Sequence, residues 1–388
     1  MNKKISLGLA LSLVAISIAV TFILTSFFSL QSYNEKVVDV NAKSKKYSAL
    51  QAMDTQVRKS YYGNITENKL NVGILKGYVN GLDDKYSRFL SAEEYLSQQN
   101  IDSGMQFGGF TLAQDESGYI RISSIVADCP AYSAGLREGD IITTVGDVKV
   151  IESGFDAAVD ALNGTEGSEV KLTVRRDGFD KTIQFTRSNV ELITASGEML
   201  AQYIGYISLT GFKNNTPDQF ISILERLTTN GAKSLVIDLR NNIGGTIDAL
   251  QQCLDPLLPE GVAVSADYTD DRTETVVYSD ASELDLPIVV IVNEKTTGEG
   301  ELFAAALRDA GKAKIVGSRT YGKGLMQETI PFDNGTAVIL TVAEYYTPVT
   351  GKFNGKGITP DIIAENDDMN SDFQYFKAIE TLREWDQQ

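Results

Sequence analysis

Lys323 stands between two glycines in Tyr321-Gly322-Lys323-Gly324. Glycines so placed permit turns closed to other residues, and they fix the direction in which one amine can point. The chain has no histidine. Ser-His-Asp and Cys-His catalysis and His-ligated metal sites are therefore excluded. Proton transfer near neutral pH falls to Lys, Tyr, Asp or Glu. Two further stretches read as loops after strands, where open α/β sheets place their chemistry. Asn241-Asn242-Ile243-Gly244-Gly245 follows the apolar run "SLVIDL" and opens a helix from Thr246. Free backbone N–H groups at such a helix start can cradle an anion. Asn293 to Gly300 follows "IVVIV" and precedes an Ala-rich helix. No metal or cofactor is expected.

Gly317 to Lys323 also spells G-x-x-x-x-G-K. A phosphate-binding loop needs Ser or Thr next, for Mg²⁺, and then a helix. Gly324 takes the hydroxyl's place and "LMQETIPF" reads as a strand, so nucleotide binding is not expected.

The elements that position these loops are legible from periodicity. Apolar residues recur at three- and four-residue steps between Tyr33 and Gln99, and Ser91 with Glu94 forms a capping-box pattern. From Gly104 short apolar runs alternate with Gly and polar turns, with a helix near 156–162, as in a small β-rich domain. From about Val190 strands and helices alternate as in an α/β layer. "TPDQFISILERLTTNG" offers a Thr cap, Pro at the first helical position and a glycine stop.

"CPAYSAGLREGDIITTVGD" resembles the corresponding segment of PDZ domains, in the permuted form found in bacterial proteases. That resemblance implies an extended peptide taken up as an added strand, its C-terminal carboxylate caught on the loop Phe107-Gly108-Gly109-Phe110. "LDDKYSRFLSAEEY", "VIDLRNNIGG", "ELFAAALRDAGKAKIVGSRTYGKGLMQ" and "GKGITPD", in this order, resemble the C-terminal processing peptidases, the tail-specific S41 family. The likeness covers residues from about 35 to 365. It implies a ClpP/crotonase-like α/β peptidase core and a Ser–Lys endopeptidase fed with unstructured tails by the PDZ domain. Lys323 falls on the general base, which must be a neutral, desolvated amine, and Gln327 on the glutamine that orients it. Gly244 and the N–H of Glu299 fall on the two oxyanion donors.

The family's serine falls on Gly298, which has no side chain and cannot form an acyl-enzyme. Glu299 adds a carboxylate beside the cradle and could pair with Lys323. The resulting expectation is a degenerate peptidase that binds tails without hydrolysing them. The alternative is an active endopeptidase using Thr297, or Thr296, as nucleophile.

Lys3 and Lys4 precede an uncharged, mostly apolar run from Ile5 to Leu30. As a helix it would span roughly 39 Å, enough to cross a bilayer with tilt. It lacks a good cleavage site and reads as an uncleaved anchor, with the basic end in the cytoplasm and the bulk of the chain outside. The net charge of −17 opposes nucleic-acid binding. Cys129 and Cys253 read as buried free thiols. The expected architecture is a multidomain α/β and α+β chain. It comprises an anchor over residues 1–32, a helical collar over 33–103 that can mediate a homodimer, and a PDZ domain over 104–189. The peptidase core covers 190–365 and a helical tail 366–388.

Overall fold

The computed structural model describes residues 47–385 except 116, 128, 163–165, 281–282 and 367–371, with Ser17, Thr21, Phe22 and Thr25 besides. The expected anchor otherwise lies outside the described residues. Among those described, no helix is long and apolar enough to cross a membrane. The chain forms two compact units, Met1–Ile74 and Leu75–Gln388.

In the first unit a helix, α1, covers residues 47–60. Arg58 pairs there with Asp54 at 2.8 Å and with Glu67 at 2.5 Å. Glu67 opens α2 (Glu67–Asn80). In the second unit β1 (Arg88–Leu90) leads to α3 (Ala92–Asp102). The predicted capping box is present: the Ser91 hydroxyl accepts the Glu94 N–H at 3.2 Å, and the Glu94 carboxylate accepts the Ser91 N–H at 2.7 Å.

The β-rich segment then follows. It runs β2 (Met105–Phe107), β3 (Phe110–Gln114), β4 (Ile120–Ile125), α4 (Pro130–Ser133), β5 (Ile141–Val145), β6 (Val148–Lys149), α5 (Val150–Ser153), α6 (Phe155–Leu162), β7 (Glu169–Arg176), β8 (Phe179–Thr186) and β9 (Asn189–Glu191). The sheet order is β3-β4-β5-β7-β8, with β6 on β5 and β2 paired separately with β9. β7 and β8 form a hairpin whose turn, Asp177-Gly178, has positive φ at both residues (52° and 83°), the geometry that matches strand twist. Ile120, Ile122, Leu136, Ile142, Leu172 and Phe185 form its own apolar core.

The α/β segment contains β10 (Ala195–Met199), β11 (Ile204–Leu209), α7 (Thr216–Thr229), β12 (Ser234–Asp238), α8 (Ile247–Leu254), β13 (Gly261–Tyr268), β14 (Thr273–Ser279), β15 (Ile288–Val292), α9 (Glu299–Asp309), β16 (Ala313–Gly317), β17 (Leu325–Pro331), β18 (Ala337–Thr347), β19 (Gly351–Lys352), β20 (Ile362–Ile363) and α10 (Phe373–Trp385). One sheet has the order β10-β11-β12-β15-β16-β20, parallel from β11 onward. β12 and β15 are buried at every residue, which explains their unbroken apolar runs. The second sheet is antiparallel, β1-β18-β13-β14, with β17 and β19 on β18. α9, buried from Gly300 to Leu307, packs on strands of both sheets. The expected Thr cap of α7 is not formed. The Thr216 hydroxyl instead accepts the Lys213 N–H at 2.8 Å, and Asn215 precedes the helix without a side-chain cap. Both cysteines are free and buried.

Candidate active site

Three loops at the C-terminal ends of β12, β15 and β16 converge. The first is held by its asparagines. Asn242, fully buried, donates from Nδ2 to Leu209 O at 2.9 Å and accepts the Gly244 N–H on Oδ1 at 2.9 Å. Asn241, at φ 59°, exchanges two hydrogen bonds with Asn293 of the second loop, at 3.0 and 3.1 Å. The Gly244 N–H is thus engaged inside its own loop. The neighbouring Gly245 N–H is the one that meets a carboxylate, Oε2 of Glu299, at 2.7 Å. Both positions disfavour a side chain, Gly244 through its φ of 82° and Gly245 through contact with backbone. A Cβ on Gly244 would lie 2.4 Å from that Glu299 oxygen, and one on Gly245 would lie 1.8 Å from Phe212 O.

The second loop presents the turn at Gly298. Gly298 has φ 60° and ψ −120°, a conformation that strains any residue with a side chain. A Cβ there would stand 3.9 Å from Lys323 Cδ and 3.9 Å from Gly244 Cα. Position 298 therefore faces both the lysine and the cradle, with room for a side chain. The threonines beside it are committed elsewhere or unengaged. Thr296 is fully buried, and its hydroxyl donates to Leu239 O at 2.8 Å. Thr297 donates its N–H to Asn242 O at 2.9 Å, while its buried hydroxyl has no hydrogen-bond partner, Lys323 included.

Glu301 ties the second loop to the third. Its side chain is fully buried and accepts the N–H groups of Gly298 (3.0 Å), Gly322 (2.7 Å) and Lys323 (2.8 Å), and the Thr320 hydroxyl. Burial pushes the Glu301 carboxyl above its ordinary range against the pull of these donors. The lysine's loop is therefore built around one interior carboxylate. Sequence reasoning gave Glu301 no part in the site and missed this role.

Lys323 is half-buried, not enclosed, and its Nζ lies 5.1 Å from the centroid of the Tyr86 ring. The same ring lies 4.6 Å from Lys85 Nζ, which is also 3.3 Å from Tyr321 Oη. Among the described residues no carboxylate pairs with Lys323 and no hydroxyl bonds its amine, so the pairing open to Glu299 and Lys323 is not made. Tyr86 is held by Asp84, which accepts its N–H at 3.2 Å and the hydroxyl of Thr341 at 2.6 Å. The motif "LDDKYSRF" thus closes over the lysine, a contact that nothing in its local pattern announces. Gln327 is not directed at the amine either. Its Nε2 donates to Leu325 O at 2.9 Å and lies 3.5 Å from Thr341 Oγ1. Lys323 is followed by β17 and not by a helix, so the phosphate-loop pattern lacks the element it requires.

In the β-rich segment Gly108 and Gly109 both have positive φ (72° and 71°), and a Cβ on either would strike Phe110 at 2.4 Å or Cys129 at 2.7 Å. The Gly108 N–H donates to Ser188 O at 2.8 Å. The Phe107 side chain lies outside what is described. β3, which leaves this loop, pairs only with β4, so its other edge is open among the described residues.

The chain is similar to known proteins in both segments. Residues 203–364 match the model of peptidase family S41, and residues 121–176 match a PDZ domain. A protein of Staphylococcus haemolyticus described as "Probable CtpA-like serine protease" is 32% identical over 304 residues, 78% of this chain and 61% of the relative. The "Carboxy-terminal processing protease CtpA" of Bacillus subtilis is 28% identical over 96% of this chain and 80% of its own length. The chain belongs to peptidase family S41. Among solved structures, the photosystem II D1 C-terminal processing protease superposes with a TM-score of 0.53 at 26% identity, covering 80% of this chain and 86% of that one. This S41 chain spans less than two thirds of the length of the staphylococcal relative.

Proposed function

We propose that this chain is a membrane-anchored, extracytoplasmic S41 homologue that captures unstructured C-terminal tails and does not cut them by Ser–Lys chemistry. One observation carries the reading. The position that faces Lys323 and the glycine cradle, 3.9 Å from each by its would-be Cβ, is Gly298. A lysine base without a hydroxyl in reach has nothing to activate.

Tail capture is supported by the open edge of β3 and by the two positive-φ glycines before it. An extended peptide can add its backbone to that edge while its carboxylate meets loop N–H groups. Anchoring is supported by the apolar run from Ile5 to Leu30 after two lysines. Hydrolysis by Thr297 is the weaker reading, because its hydroxyl has no hydrogen bond to Lys323.

The test is incubation of the full chain with unstructured peptides ending in a free carboxylate. Binding without cleavage is the expected result. Cleavage that disappears in Lys323→Ala would overturn the reading.

A further inference from the structure

The cradle is not vacant. Glu299 begins α9, yet its carboxylate leaves that helix and crosses to the first loop, where Oε2 takes the Gly245 N–H at 2.7 Å. A Cβ on Gly244 would be 2.4 Å from the same oxygen and 3.3 Å from the Glu299 backbone nitrogen. The acid and its own N–H therefore converge on the point where a developing oxyanion would need donors. The carboxylate is also felt further in: burial first, and then Glu299, push the Tyr345 phenol upward. A glutamate serving only the start of its own helix could face solvent there. Its seat on Gly245 needs another account.

We propose that Glu299 is a resident anion of the cradle, so that the site carries two independent blocks to hydrolysis and not one. The proposal rests on the degenerate-peptidase reading and deepens it. The first block is the missing hydroxyl at 298. The second is a negative charge that occupies a donor and repels any oxyanion formed beside it. In a Gly298→Ser variant the new hydroxyl would attack the peptide carbonyl carbon, passing its proton to Lys323 Nζ. The carbonyl π pair would move onto oxygen, and that oxygen would meet the Glu299 carboxylate where it needs the Gly245 N–H. Removing the carboxylate frees that donor for the substrate.

Three forms of the full chain test this: wild type, Gly298→Ser, and Gly298→Ser with Glu299→Ala. The double variant is expected to cleave unstructured peptides at least about 100-fold faster than Gly298→Ser, the scale of one oxyanion donor. Measurable and equal cleavage by the two variants would overturn the second block and leave the reading of the wild type intact. Cleavage by the wild type would instead strike that reading. A second measurement decides the matter even if neither variant cleaves. Glu299→Ala alone should lower the hydrogen-exchange protection of the Gly245 amide by about tenfold or more, the loss expected for a bond to a charged acceptor. Unchanged protection would show that the carboxylate does not occupy the cradle.

Discussion

Glu301 and Lys323 are joined by a 2.8 Å hydrogen bond from the lysine's backbone N–H to the glutamate's carboxylate. The same carboxylate takes the Gly298 N–H at 3.0 Å, so one buried group sets the spacing between the lysine and the turn it faces. Glu301→Gln keeps the shape but turns one acceptor into a donor among N–H groups. It should cost about 1–3 kcal/mol at mildly acid pH, read by denaturant unfolding. Because burial holds the Glu301 carboxyl above its ordinary value, the folded state binds its proton before the unfolded chain does. Its contribution is complete below the unfolded value of about 4.3 and is lost as pH rises through the raised one. The stability gap between wild type and Glu301→Gln should therefore narrow with rising pH; a widening gap would contradict the assignment.

Asp84 should behave in the opposite sense. Burial alone would raise its carboxyl, but the hydroxyls of Ser87 and Thr341 and the N–H groups of Tyr86 and Ser87 outweigh that and hold it low. A group lowered in the folded state contributes stability above its unfolded value, about 3.9, and loses it as pH falls further. Asp84→Asn should cost about 1–3 kcal/mol at pH 7. That difference should fade under acid. If it persists unchanged at low pH, the hydrogen-bonded carboxylate is not its source.

The two glycines of the site should respond unequally to alanine. At Gly245 the added Cβ would lie 1.8 Å from a backbone oxygen that cannot swing aside. At Gly298 nothing approaches within 3.9 Å and only the positive φ is strained. Gly298→Ala should cost about 1–3 kcal/mol, with Gly245→Ala clearly more destabilising or unable to fold. Melting curves of the two variants decide the order.

Tail capture predicts dependence on a free chain end. Amidating the C-terminus of a bound peptide should weaken its affinity at least about tenfold, the worth of a charge-assisted hydrogen bond. Gly108→Ala, whose Cβ would meet the Phe110 ring at 2.4 Å, should weaken both forms. Equal affinity for free and amidated peptides, measured by fluorescence anisotropy, would remove carboxylate capture.

The buried strands, the Ser91 capping box and the loops carrying Gly244, Gly298 and Lys323 were legible because each depends on residues close in sequence. Periodicity and glycine placement record such local demands directly. Tyr86 over Lys323, the four donors on Glu301 and the Asn241–Asn293 exchange were not. Each joins residues from different elements, and a buried carboxylate or a paired asparagine looks the same in sequence as an exposed one. The choice between Gly244 and Gly245 as donor likewise depends on the Asn242 side chain, which takes the first N–H for its own loop.

The edge of β3 that is open among the described residues has a consequence beyond the proposed peptide capture. A strand left open accepts any extended segment, including the same strand of another molecule, so a receptor of this kind courts self-association. The formal charge of −17 supplies a counterweight, since two approaching copies repel each other across water. That protection depends on ionic strength, with a screening length of about 8 Å in physiological salt. A net charge of this size opposes edge-to-edge pairing between copies of the chain.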